Sequence, residues 1–160
     1  MTDRATFGRV CEDFVAQLIA IKTGLVVTNL NDERENHPVT DLRITESNGK
    51  SLYEVSVKAK KTAEWPAVKG ISENTQYMVF VDIYTNDAPQ FYILTNEDWQ
   101  NVLKTIQPKR NAGAQIVSGA LQWNWTDNGR LKKFRGSKLY QADIDVFKNN
   151  WRALPRIKEN

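Results

Sequence analysis

The sequence predicts a single α/β domain, and three observations predict it. An apolar stripe at helical spacing opens the chain, an Asn-Gly pair joins two strand-like runs, and Tyr77 to Ile83 is an almost unbroken apolar run. A run of that kind suits a central strand covered on both faces. The length of 160 residues fits one domain, 1–160, and 41% apolar residues are enough to build a core.

Phe7, Val10, Cys11, Phe14, Val15, Leu18 and Ile19 recur every three or four residues, so the first element is a helix with one buried stripe. Thr2 or Asp3 is placed to cap it, and Gly24 to end it. Cys11 falls inside the stripe and reads as a core residue rather than a nucleophile. Leu25 to Leu30 is a short apolar strand, followed by a polar loop from Asn31 to Pro38 that contains the sole histidine, His37, to which no role is given.

Asp41 to Glu46 and Lys50 to Ala59 read as strands around Ser47-Asn48-Gly49, the strongest short-range signal for a hairpin. The exit loop holds Trp65-Pro66 and Gly70. After the central strand come a turn at Asn86 to Pro89 and a strand from Phe91 to Leu94. Thr95 and Asp98 form a capping box with aspartate in the glutamate position. The helix beyond buries Trp99, Val102, Leu103 and Ile106, and Pro108 is expected to stop it. Lys109 to Tyr140 shows no clear period. A last helix is expected with Ile144, Phe147, Trp151 and Leu154 on one face, ending at Pro155.

With Asn48 and Gly49 as a two-residue loop, Ser47 faces Lys50, Arg43 faces Glu54 and Asp41 faces Ser56. Alternation then puts Leu52, Glu54, Ser56 and Lys58 on one face with Asp41 and Arg43. Tyr53, Val55 and Val57 take the apolar face. Two carboxylates and an ammonium on one sheet surface form a set suited to magnesium, which takes a few carboxylates plus water and phosphate. Asp41 and Glu54 are the candidate metal ligands. Lys58 is the candidate to orient water or stabilise developing charge. Glu12, at the margin of the helical stripe, either points along the sheet edge to the same site or is a solvated flank residue.

Gly8-x-x-x-Glu12 on a first helix, Asp41 on a strand and Glu54 to Lys58 on its hairpin partner resemble the PD-(D/E)XK, or restriction-endonuclease-like, nuclease superfamily over about the first 60 residues. The resemblance implies a three-layer α/β fold with a mixed central sheet flanked by helices. It also implies dependence on Mg2+, with Mn2+ as the alternative ion, and hydrolysis of DNA phosphodiester bonds. By position Asp41 is then a metal ligand, Lys58 the catalytic lysine and Glu12 the helix glutamate of resolvase-like members. Two departures stand out. Ser56 occupies the acid position two residues before the lysine, so Glu54 must substitute or a ligand is missing. Pro66 and Gly70 also oppose the helix that the family usually has between Lys60 and Thr75.

Plainer readings exist. Glu54 and Arg43 make a cross-strand ion pair, and Lys58 is an edge-strand lysine that discourages aggregation. Arg130, Lys132, Lys133, Arg135 and Lys138 crowd one stretch with Phe134, just after Trp123 and Trp125. Lys60, Lys61 and Lys69 form a smaller group around Trp65. These cations are either contacts to nucleic-acid phosphates, with aromatics stacking on unpaired bases, or a solvated surface. The formal charge of +3 permits nucleic acid without requiring it.

One cysteine excludes an internal disulfide, and no apolar run is long enough to span a bilayer. The start, Met1 to Phe7, lacks the apolar core of a signal peptide, so a cytoplasmic protein is expected. The leading expectation is a magnesium-dependent DNA endonuclease. The alternatives are a catalytically inactive nucleic-acid-binding domain of the same fold, and a protein-interaction domain whose acidic cluster is structural. Assembly as a homodimer is left open.

Overall fold

The computed structural model describes residues 4–33, 40–71, 73, 75–110 and 112–158. Most of the polar loop, including His37, lies outside the described residues, as do Thr2 and Asp3. The first helix, α1 (Arg4–Thr23), ends where the Gly24 N–H donates to Ala20 O at 2.8 Å. Cys11, Val15 and Ile19 are its buried apolar residues. Val10 is exposed, and Phe14 is half-exposed while stacking on Phe91 at 5.8 Å, so the buried stripe is narrower than the spacing suggested.

Five strands form the main sheet in the order β1-β2-β3-β5-β6. They are β1 (Val26–Asn29), β2 (Leu42–Thr45), β3 (Ser51–Lys60), β5 (Gln76–Asp82) and β6 (Gln90–Leu94). The sheet is mixed: β3 and β5 are parallel, and each other neighbouring pair is antiparallel. A one-turn helix, α2 (Leu30–Glu33), follows β1. The crossover from β3 to β5 holds a short strand, β4 (Trp65–Val68), where Pro66 and Gly70 opposed a helix.

Alternation divides the core in two. Leu42, Ile44, Val55, Val57, Val79 and Val81 pack with Cys11, Val15 and Ile19 of α1. Met78, Phe80, Tyr92 and Leu94 pack with Trp99, Val102, Leu103 and Ile106 of α3 (Asn96–Arg110) on the opposite face. The protein is therefore α/β, with a mixed sheet between helices. The capping box forms as expected. Thr95 N–H donates to Asp98 Oδ2, and Asp98 N–H to Thr95 Oγ1, each at 3.0 Å. Pro108 does not stop α3, which runs on to Arg110. A proline one turn from the end removes a single helical hydrogen bond, and the Arg110 side chain is held beyond it by Asp143, two contacts at 2.8 Å.

The hairpin pairs Arg43 with Glu54 as expected, but through a different turn. Gly49 N–H donates to Glu46 O at 2.9 Å and Glu46 N–H to Lys50 O at 2.8 Å, so three residues form the loop, with Gly49 at φ +88°. A bulge opposite Thr45 then absorbs the extra offset, restoring the register by Tyr53.

Two further corrections concern the second half. Residues after α3 form a three-stranded antiparallel ribbon, β7 (Gln115–Val117), β8 (Ala120–Asp127) and β9 (Arg130–Arg135). After it, β10 (Ser137–Leu139) pairs with β4. The expected last helix is instead broken into α4 (Gln141–Ile144) and two 3-10 turns, Asp145–Phe147 and Trp151–Ala153. Between the turns the chain serves the β6 edge: the Asn149 backbone N–H donates to Phe91 O at 2.8 Å, and the Asn150 side-chain Nδ2 donates to Ile93 O at 3.2 Å. Covering an edge strand outweighs the helical period there.

Candidate functional site

The site is built by the unequal lengths of two paired strands. β2 begins at Leu42, whereas β3 continues from the opposite residue, Val55, to Lys60. Residues Val57 to Lys60 have no β2 partner, and the notch beside them collects the polar groups.

Asp41, one residue before β2, turns its carboxylate into that notch. Its Oδ2 accepts from the Val57 N–H at 2.7 Å, and its Oδ1 accepts from Asn31 Nδ2 at 3.1 Å. The same Asn31 nitrogen donates to Glu12 Oε2, also at 3.1 Å. The helix glutamate and the aspartate that precedes β2 therefore converge on one amide nitrogen. Asn29, at the end of β1, donates to Glu12 Oε2 at 3.3 Å and to Asp13 Oδ1 at 2.9 Å. Its own Oδ1 accepts from the Asn31 N–H at 3.0 Å, which fixes the start of α2. Arg9 Nε lies 3.6 Å from Glu12, and its guanidinium also pairs with Asp32. Burial, then the charge of Asp41, push the Glu12 carboxyl up from 4.5 to about 7, against the two asparagine amides and Arg9.

Lys58 lies next to Val57 on the other face of β3 and is half-buried. Among the described residues its ammonium has no hydrogen-bond or ion-pair partner. It lines a hollow of about 230 Å³ with Trp65, Pro66, Ala67 and Lys69, and Trp65 Nε1 donates to Lys58 O at 3.0 Å. Ser56, which the resemblance sets in an acid position, is buried opposite Met78 of β5. Glu54 is held by Arg43 at 3.4 Å, so the carboxylate that meets Asp41 is Glu12. Among the described residues no three carboxylate, histidine or cysteine side chains are gathered as a metal cluster. Glu12 and Asp41 nonetheless suit magnesium, because that ion is usually held by one or two carboxylates, the rest of its shell being water and substrate phosphate.

The basic residues divide. Lys60, expected at a nucleic-acid surface, is buried instead. Its ammonium lies 3.3 Å from Asp82, donates to Ala63 O at 3.2 Å and sits 4.5 Å from the centre of the Trp65 ring. It is the strand partner of Asp82, and the pair closes the ends of β3 and β5. Burial would raise the Asp82 carboxyl. The hydroxyl and N–H of Thr85, the N–H of Tyr84 and Lys60 outweigh it and hold the carboxyl below its ordinary range. Arg135 is likewise committed, to Val117 O at 3.1 Å and Gln122 Oε1 at 3.2 Å. Lys61, Lys69, Arg130, Lys132, Lys133 and Lys138 are exposed.

Asn29 and Asn31 carry the site yet show no sequence pattern. Asn31 opens a stretch that reads as solvated loop, and only its burial against Glu12 and Asp41 reveals it. No protein-family model matches the chain, and no curated protein matches it. Among the described residues no helix is long and apolar enough to cross a membrane.

Proposed function

We propose that the chain is a magnesium-dependent nuclease-like protein of the restriction-endonuclease-like fold, acting on DNA phosphodiester bonds. The observation that carries this reading is the meeting of Glu12 and Asp41 at Asn31, with Asp41 also accepting from the N–H of Val57, the strand neighbour of Lys58. Two carboxylates around one donor form a site that a divalent cation satisfies better than an amide does. Glu12 and Asp41 hold the ion in this reading, and Asn29 and Asn31 orient them. Bound magnesium supplies neutralisation of the phosphate and a more acidic water. Lys58, whose Nζ has no hydrogen-bond or ion-pair partner among the described residues, donates to the phosphate oxygen on which negative charge develops. Glu54 stays with Arg43 outside this set.

The test is cleavage of DNA in magnesium and in manganese. Asp41→Asn keeps an acceptor for the Val57 N–H, so the fold is retained while cleavage is lost. Glu12→Gln acts in the same direction. Lys58→Ala lowers the rate on the order of a hundred-fold, the scale of removing one transition-state donor. Glu54→Ala changes the rate less than these three. No cleavage by the wild type with either ion, together with no metal binding by calorimetry, ends the reading.

A second reading is favoured by Ser56. A buried hydroxyl where the family has its second acid suits a domain that binds nucleic acid without cutting it. Salt-dependent DNA binding without metal binding distinguishes that outcome.

A further inference from the structure

The β8–β9 ribbon carries three aromatic side chains, of which Trp125 and Phe134 are exposed and Trp123 is half-buried. Trp123 faces Phe134, Trp125 faces Lys132 and Asp127 faces Arg130, so all six share one face. That face starts in the core at Leu121, which is buried. It runs outward to Trp125, 48% exposed, and Phe134, 49% exposed. The rings of Trp123 and Phe134 lie 6.1 Å apart at 45°. Trp123 packs against the core beneath it, whereas Trp125 and Phe134 leave about half of their surface exposed, and exposed apolar surface of this kind marks a binding site.

At the root of the ribbon lies a cavity of about 510 Å³, walled by Pro66, Trp123, Phe134, Gly136 and Tyr140, with Arg110 at its margin. This is within the roughly 300–1,000 Å³ of small-molecule pockets. Arg110 lies 5.2 Å over the Tyr140 ring while paired with Asp143. Lys138 stands at the rim, 3.6 Å from Glu64 and largely exposed, a pairing that solvent screens. From residue 120 to residue 139 there are five cations and one acid, Asp127. Planar apolar walls beside an excess of positive charge complement a ligand that is a flat ring attached to an anionic chain.

We infer that this cavity takes one unpaired nucleobase, with the adjoining strand laid along the Trp125–Lys132 face. Bases inside a duplex have both faces stacked, so a pocket that works by ring contact takes a single strand or an extruded base. Pro66 and Ala67 wall both this cavity and the Lys58 hollow. A base held in the first therefore brings a neighbouring phosphodiester towards the second. The inference rests on the nucleic-acid reading above and narrows its substrate to unpaired strands or ends.

Binding is measured in EDTA, where metal-dependent cleavage is silent. The probes are a short single strand, its blunt duplex, the same strand with abasic residues, and strands carrying 2-aminopurine. The single strand binds on the order of ten-fold tighter than the duplex, the abasic strand loses that factor, and 2-aminopurine fluorescence is quenched on binding. Phe134→Leu and Trp123→Leu weaken the normal strand but not the abasic one. Phe134 is half-exposed and the quenching uses wild-type protein, so the test survives if Trp123→Leu does not fold. Equal affinity for normal and abasic strands with unquenched 2-aminopurine overturns the inference and leaves the face to a protein partner. Lost stacking with intact magnesium-dependent cleavage removes this inference alone. Stacking without cleavage removes the nuclease reading alone.

Discussion

Burial and the Asp41 charge raise the Glu12 carboxyl from 4.5 to about 7, so between these values the folded protein holds a proton that the unfolded chain has released. Its contribution to stability is fully present below pH 4.5 and is lost as pH rises through about 7. At about 1.36 kcal/mol per unit, ionised Glu12 costs the fold at most about 3 kcal/mol at pH 8. Glu12→Gln keeps the shape and an acceptor for Asn31 while abolishing the titration. Relative to wild type, the variant is expected to gain stability between pH 5 and pH 8, read as the urea midpoint at each pH. An identical pH slope in the two proteins would show that Glu12 titrates as an ordinary surface carboxylate. If magnesium binds at Glu12 and Asp41 as proposed, it relieves the same repulsion, and it should raise the wild-type midpoint more at pH 8 than at pH 5.

At the scale of elements, turn chemistry spoke twice and was legible once. Asn48-Gly49 marked a hairpin correctly, although its loop has three residues and a bulge restores the register. The same dipeptide at Asn128-Gly129 forms the two-residue turn, with φ +50° and +74° and Asp127 facing Arg130. Its strands escaped notice. In β8 Leu121, Trp123 and Trp125 do alternate with polar residues, but β9 shows no such period, and from Asn124 to Phe134 every residue is exposed, so the outer ribbon has no buried face to imprint one. The C-terminal segment misled for the opposite reason. Its apolar residues keep helical spacing, but Ile144 packs in one half of the core and Leu154 in the other, with the chain crossing the β6 edge between them. A ribbon without a buried face depends on its turns. Nothing lies within 4 Å of a Cβ built on Gly129, so Gly129→Ala introduces left-handed strain alone. It is expected to cost about 1–2 kcal/mol locally. Hydrogen exchange should quicken in β8 and β9 and stay unchanged in β3 and β5. Equal quickening throughout would mean that the ribbon and the main sheet unfold as one unit.

Across the whole molecule, charge is sorted by face rather than by sequence. The crowding of cations from Arg130 to Lys138 was plain in the sequence, but not which of them are free. Arg135 braces the turn after β7, and Lys60 is locked to Asp82. The acidic site was legible in the same partial way. Asp41 and Lys58 stood out by residue type and order, Glu12 was left open between the site and a solvated flank, and Glu54, expected as a ligand, pairs with Arg43 instead; Asn29 and Asn31 depend on a loop closing over a strand end, which no spacing encodes. Within the ribbon, Arg130 and Lys132 share the face of Trp125 and Trp123, while Lys133 faces Asn124 on the opposite side. If single strands track the aromatic face, only the first two cations release counterions on binding. For single strands the slope of log affinity against log salt is about −0.7 per phosphate neutralised. Replacing Arg130 and Lys132 together by alanine should therefore reduce the steepness by about 1.4, with weaker binding at low salt and no change in sequence preference. Lys133→Ala should leave the slope unchanged, although it removes the same charge a residue away. A flattening caused equally by Lys133→Ala would mean that the ribbon acts as a diffuse positive surface wetted on both faces, because only a strand confined to one face tells neighbouring lysines apart.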